Sequence, residues 1–164
     1  MVRIFGIDPG LHITGWGVID YDGYHLKYVS HGTIKTSPAD KIERRLGTVH
    51  RQLLDAMKNT APQEVGVEQI FVNYNPASSL KLGMARGVAL CAADLMGLKI
   101  FEYAPNMVKK TVVGSGHAAK AQVSDMVKRL LNCGGLDDLK DDAADALAVA
   151  ICHAHHDRVC QLAM

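Results

Sequence analysis

No stretch of the chain approaches the roughly 20 uninterrupted apolar residues that a membrane-spanning helix needs. The opening run, Met1 to Gly10, has no signal-peptide core and reads as a strand entering a turn. These two absences set aside a membrane protein and a secreted one, so a cytoplasmic protein is expected. Net charge is also slight, +1 at pH 7. That total neither demands nor forbids nucleic acid, because such binding depends on where positive charge is concentrated. None of the four cysteines, Cys91, Cys133, Cys152 and Cys160, forms a C-x-x-C pair, and the expectation is free thiols, buried where the surroundings are apolar, as around Cys91 and Cys152. The tail collects Cys152, His153, His155, His156 and Cys160, but the spacing fits no common zinc finger and reads as a frayed, His-rich helix end. No repeat, linker or low-complexity segment interrupts the chain, so one domain over 1–164 is expected, with the last few residues as a tail.

What is present alternates between two periodicities. Residues 2–7 and 13–20 are apolar strand patterns joined by Asp8-Pro9-Gly10, and Asp22-Gly23 marks a hairpin before a third strand over 25–35. Short turns between them predict an antiparallel meander. The pattern then changes to helical spacing, with Ile42, Leu46, Val49, Leu53, Leu54 and Met57 on one face after a start signal at Ser37–Asp40. Val65–Val67 is a brief strand, 76–96 a helix rich in Ala and Gly, and 98–103 another strand. Helices follow near Pro105, over 118–131 and over 140–155, with a break at Gly114–Gly116. The order predicts an α/β fold: a five-stranded mixed sheet with helices on both faces.

Asp145 is the most informative residue. It sits in Ala143-Ala144-Asp145-Ala146-Leu147-Ala148-Val149-Ala150-Ile151, a helix apolar on every other side and therefore enclosed by protein. An ionised carboxylate there is costly without a cationic partner or a metal. Asp142, three residues earlier, lies on the same face, where two like charges repel. The residues alone leave open a salt bridge for Asp145 and a first-turn, dipole-favoured role for Asp142. Asp137, Asp138 and Asp141 read as a solvated acidic approach, Asp141 being the rival ligand. Asp8 and Glu68 each end a short apolar strand; singly, each reads as turn chemistry or a solvated strand end. Together, two strand-end acids and two helix acids can converge above the sheet. An all-oxygen set suits Mg²⁺ or Mn²⁺ and disfavours zinc or copper. Four carboxylates can hold two ions about 4 Å apart, one activating water and the other stabilising a leaving oxygen.

An ordered set of motifs spans nearly the whole chain: Gly6-Ile7-Asp8-Pro9-Gly10 followed by Gly15-Trp16-Gly17, Val67-Glu68-Gln69-Ile70-Phe71, Leu80-Lys81-Leu82-Gly83, Ala85-Arg86-Gly87, Lys109-Lys110-Thr111-Val112-Val113-Gly114 and Asp142-Ala143-Ala144-Asp145-Ala146-Leu147. The set resembles the RuvC family of Holliday-junction resolvases. The resemblance implies an RNase H-like fold, a homodimer and paired symmetric nicks in four-way junction DNA. It further implies metal-binding acids at Asp8, Glu68, Asp142 and Asp145, a preference for thymine-containing sites and cooperation with a branch-migration helicase. The stretches Val72–Pro76 and Asn132–Leu139 depart from the family's best-known member, which touches loop contacts and sequence preference.

Lys109, Lys110, Lys120, Lys128 and Arg129 cluster over 105–130, with His117 nearby. A solvated helix face would account for them. The resemblance instead matches Lys109 and Lys120 to lysines that meet the DNA backbone near the scissile phosphate, where a cation also stabilises developing charge. Gly114-Ser115-Gly116 between them can bring backbone amides to a phosphate. Phe71 either packs on the sheet or wedges against an unstacked base, with Asn73 and Tyr74 as weaker companions. Ala77, Leu80, Gly83, Met84, Gly87, Val88 and Cys91 form a small, apolar row explicable by core packing; the resemblance favours a symmetry partner there. Lys81 and Arg86 on the same helix face DNA or solvent. Two rival readings remain at this point. A Gly-rich hairpin after an acid also cradles nucleotide phosphates, but in two-domain proteins longer than this chain. A catalytically silent junction-binding scaffold would have no use for four intact acids.

Overall fold

The computed structural model describes residues 1–70, 75–132 and 139–162, with side chains of the last helix to His156. Strands β1 (Val2–Asp8), β2 (Ile13–Tyr21) and β3 (Leu26–Lys35) form the expected antiparallel meander. Strand β4 (Glu64–Glu68) runs parallel to β1, and β5 (Lys99–Tyr103) parallel to β4, giving the sheet order β3-β2-β1-β4-β5. The register pairs Ile7 with Val67. One step further, Asp8 and Glu68 therefore leave the sheet side by side at the same edge.

Helices α1 (Ile42–Thr60) and α2 (Pro76–Leu95) cover one face; α3 (Pro105–Val113), α4 (Lys120–Leu131) and α5 (Asp141–Leu162) cover the other. Each layer closes its own apolar core. Phe5, Ile7, Val18, Val65 and Val67 meet Val49, Leu53 and Met57 of α1, while Ile4 and Ile19 meet α3, α4 and α5. The alternation of strand residues between two cores is the period-2 pleat at work. Ser37–Asp40 is a turn, closed by Asp40 N–H donating to the Ser37 carbonyl at 3.1 Å, and α1 starts only at Ile42 with no side-chain cap. At α2, Asn75 Oδ1 accepts from the N–H groups of Ala77 (3.0 Å) and Ser78 (3.2 Å), and Pro76 fits the first turn.

Helix α5 lies directly on the sheet because glycines clear its path. A Cβ on Gly15 would stand 1.8 Å from the Asp142 carbonyl oxygen, and one on Gly6 2.0 Å from that of Ala146. The helix is buried almost throughout Ala143–Ala154, which an Ala-rich, apolar surface permits.

Two expectations are corrected. His153 does not belong to a frayed, solvated end: it is fully buried, its Nε2 2.9 Å from Glu64 Oε2 and its Nδ1 2.6 Å from the Tyr103 hydroxyl. Burying an imidazole is tolerable because both ring nitrogens find partners. Cys152 is buried as expected, but Cys91 is exposed; the buried side of α2 belongs to Ala85, Ala89, Ala92 and Ala93. Cys133 and Cys160 lie outside the described side chains, as do Asp137 and Asp138. Among the described residues no helix is long and apolar enough to cross a membrane.

Replacing Gly15 by Ala should force the start of α5 off the sheet and cost about 1–3 kcal/mol, the usual range for overpacking. The drop is read as a lowered urea midpoint with unchanged slope; wild-type stability would show that the two backbones do not touch.

Candidate active site

The edge where β1 and β4 end opens into a cavity of about 210 Å³. It is lined by Asp8, Glu68 and Asp145, by Lys109 and Lys120, and by the apolar side chains of Pro105, Val108 and Val123. These come from distant parts of the chain: the acids from β1, β4 and the first turns of α5, the lysines from α3 and the first residue of α4. The parallel register of β1 with β4 supplies two acids, and the glycine-cleared seat of α5 delivers the third above them.

Asp142 is half-buried one turn before Asp145 and is not part of the cavity wall. Its charge is nevertheless felt by Asp8, Asp145 and Lys120. Asp141, the rival, is exposed.

The electrostatics follow from crowding acids where water is scarce. Burial, then the neighbouring charge of Asp8, pushes the Glu68 carboxyl up to about 8. Burial, then the charge of Asp145, raises Asp8 to about 6. The contact between the two carboxyls works in opposite directions on them, raising Glu68 and lowering Asp8. Asp145 is also raised, chiefly by burial, although Lys120 opposes the shift. Lys120 Nζ lies 3.2 Å from Asp145 Oδ2 and is itself held more firmly protonated, first by that carboxylate. The salt bridge that the sequence left open is thus made, by the very lysine that shares the cavity.

Among the described residues, no three metal-ligating side chains converge tightly enough to grip an ion as they stand. The donor set is still oxygen-only within the cavity, and the raised carboxyls mark a place where positive charge is wanted.

Other expected residues fall elsewhere. Lys110 is exposed rather than in the cavity wall, whereas Lys109 pulls the Glu68 carboxyl down. Lys81 is exposed beside a second groove with Arg45 and His12. Arg86, expected at DNA or solvent, forks onto Glu102 of β5, with Nη2 2.6 and 2.5 Å from its two carboxylate oxygens. That pair ties α2 to the sheet and removes Arg86 from the free cations. Phe71, Asn73 and Tyr74 lie outside the described residues. The apolar wall of Pro105, Val108 and Val123 was not singled out from the sequence, because its members come from two separate helices.

The model of the family described as crossover junction endodeoxyribonuclease RuvC matches residues 4–153. A crossover junction endodeoxyribonuclease RuvC from Gluconobacter oxydans is 53% identical over 156 residues, covering 95% of this chain and 92% of that one. Its counterpart from Methylobacillus flagellatus is 52% identical over 158 residues, with 93% and 87% covered. Among solved structures, T. thermophilus RuvC in complex with Holliday junction substrate superposes with a TM-score of 0.89 at 33% identity, covering 97% of this chain and 96% of that one.

The raised carboxyls carry a pH signature. Between the ordinary Glu value near 4.5 and about 8, the folded protein holds a proton on Glu68 that the unfolded chain releases. The native state then binds more protons, so without divalent ions stability should fall as pH rises through that window. A cation that displaces the proton should oppose the fall, so the melting temperature gained from millimolar Mg²⁺ grows with pH. Thermal melts of wild type and Glu68→Gln, with and without Mg²⁺, test this: the variant should flatten the metal-free curve, and a wild-type curve that rises there contradicts the protonated Glu68.

Proposed function

The chain belongs to the RuvC family of crossover junction endodeoxyribonucleases, and on that premise we propose that its cavity hydrolyses phosphodiesters in Holliday-junction DNA with Asp8, Glu68, Asp142 and Asp145 as the metal-binding acids. Family membership implies a divalent metal; the further reading is that the ion is Mg²⁺, replaceable by Mn²⁺, with two per site. The observation that carries it is the meeting of three acids and two lysines from five separate elements in one half-apolar cavity.

Bound among these acids, divalent ions supply a more acidic water and a sink for charge on the leaving oxygen. The protein's own groups do the rest. Lys120, 64% exposed at its side chain, has a free stem long enough to reach from Asp145 to a phosphate oxygen. Lys109, half-buried on α3, approaches from the same wall and balances charge nearest Glu68. Pro105, Val108 and Val123 keep water out, so each charge acts through a less screening medium. Cleavage on the P–O3′ side leaves a 5′-phosphate and a 3′-hydroxyl, ends that a ligase can seal.

Two symmetric nicks need two sites, and α2 offers a face for a second copy. Leu80 is 62% and Met84 38% exposed, Ala77 and Gly87 are exposed, and Gly83 and Val88 are half-buried. Val88 borders the core, but core packing does not account for exposed Ala77, Leu80, Met84 and Gly87, since Ala85, Ala89, Ala92 and Ala93 form the buried side of α2. With Leu46, Gly47, His50 and Arg51 of α1, Met84, Gly87, Val88 and Cys91 line a groove of about 430 Å³. Work alongside a branch-migration helicase and a preference for thymine-containing sites rest on the family resemblance alone, as does a base-wedging role for Phe71.

Asp8→Asn, Glu68→Gln, Asp142→Asn and Asp145→Asn should each lower nicking of a synthetic four-way junction by at least about a hundredfold while binding persists, and Lys109→Ala or Lys120→Ala should do so by about tenfold or more. Full activity in any one of them removes that residue from the mechanism. The paired change Leu80→Glu, Met84→Glu should convert a dimer to a monomer by light scattering; an unchanged mass moves the interface elsewhere.

A further inference from the structure

A second concave surface lies at the rim that carries Asp8. The groove, about 420 Å³, runs between the β1–β2 turn and the beginnings of α1 and α2. Its wall includes His12, Arg45, Ser78 and Lys81 with Leu11 and Pro38, and none of its lining among the described residues is a carboxylate. The acidic cavity and this groove therefore have opposite electrostatic character and are separated by only the few residues of one turn.

Arg45 is the unusual member. It is half-buried, and none of the ion pairs among the described residues includes it. Its Nε donates to Thr36 Oγ1 at 2.9 Å and its Nη2 to the Leu11 carbonyl at 3.3 Å. Both acceptors are neutral, so the charge stays uncompensated in a partly desolvated place, where an anion is attracted more strongly than in open water. The remaining guanidinium N–H groups are available to the groove that Arg45 lines. Lys81 and His12, both exposed, stand around the same space.

Leu11 belongs to the turn after Asp8, and Thr36, just past β3, is bonded to that turn. Thr36 Oγ1 donates to the same Leu11 carbonyl, Thr36 N–H to the His12 carbonyl at 3.0 Å, and Thr14 Oγ1 to the Gly10 carbonyl at 2.6 Å. Leu11 is three residues from Asp8, at most ~11 Å along an extended chain. A nucleic-acid strand carries a negative charge about every 3.4 Å of helix axis. A strand with one phosphate at the acids thus presents another at the groove a few nucleotides away.

We propose that this groove is a second phosphate-binding subsite for the DNA strand, in which Lys81 and Arg45 take a backbone phosphate and Arg45 joins it, through Leu11 and Thr36, to the turn that sets Asp8. The inference rests on the nuclease reading above. Lys81 is then a binding residue, while Arg45 both binds and positions. Holding the phosphate draws Arg45 into one geometry, and that geometry fixes the Leu11 carbonyl.

The test is salt-dependent binding of a fluorescent four-way junction without divalent ions, so that no cutting intervenes, joined to kcat with Mg²⁺ at saturating junction. Each lost phosphate contact lowers the slope of log affinity against log salt by about 0.9. Lys81→Met and Arg45→Gln should each lose about that much slope. Arg45→Gln should also lower kcat roughly tenfold, whereas Arg45→Lys should restore the slope but not kcat, because an ammonium cannot fork onto Thr36 Oγ1 and the Leu11 carbonyl together. Wild-type slopes in both Lys81→Met and Arg45→Gln, in a protein that still cuts junctions, overturn the subsite. A lost slope with unchanged kcat in Arg45→Gln overturns the link to Asp8. Should Arg45→Gln melt early, exposed Lys81 decides the subsite alone. A wild type that never cuts would instead fail the nuclease reading, and the slopes would still report on the groove.

Discussion

Carboxylates that share a poorly hydrated cavity repel one another, and something must hold them there against that repulsion. In this protein the holding is done by backbone-to-backbone contact. Helix α5 rests on β1 and β2 at Gly6 and Gly15, with no room for a Cβ between. The contact fixes the height of Asp145 over Asp8, while the β1–β4 pairing fixes Asp8 beside Glu68. The cost of crowding appears as the upward shift of the Glu68 and Asp8 carboxyls and as the Lys120–Asp145 bridge. A divalent cation bound there would relieve all three at once, which is why a crowded acid cluster suits metal-dependent hydrolysis.

The same helix is secured at its middle by a different kind of interaction. Two turns past Asp145, His153 sits wholly buried between Glu64 and Tyr103. An Ala-rich helix makes few directional contacts, so apolar packing alone defines its axial position weakly. Hydrogen bonds from one imidazole to β4 and β5 add direction to that packing. Tyr103 pairs in register with Glu68, and β4 carries both Glu64 of this network and Glu68 of the acid cavity. Arg86 with Glu102 does comparable work on the opposite face, tying α2 to β5.

Much of the architecture was legible in the chain because periodicity is local. The strands, the helices and their order came from apolar spacing and from turns such as Asp8-Pro9-Gly10. Asp145 stood out because a charge in an all-apolar helix contradicts its surroundings. The start of α1 was less legible: Ser37 has the chemistry of a helix cap, yet it closes a turn and the helix begins five residues later at Ile42. Cys91 looked buried in its apolar neighbourhood, but rotation of α2 turns it outward. Arg86 read as a free cation because its partner, Glu102, lies 16 residues away on a different element.

By itself, the sequence determined the element order, the two-faced sheet and which side chains have the chemistry to bind a metal and a phosphate, since each of these depends on residue type at short spacing, and its ordered motifs carried the family resemblance. Only the tertiary structure decided which of them meet. Three acids and two lysines share one cavity while Asp142 acts from one turn away, Arg86 is withdrawn into an ion pair, and the tail histidine becomes a buried clasp. The physical reason is that charge–charge energies depend on distance and burial, and both are set by how strands register and how closely a helix can approach glycine.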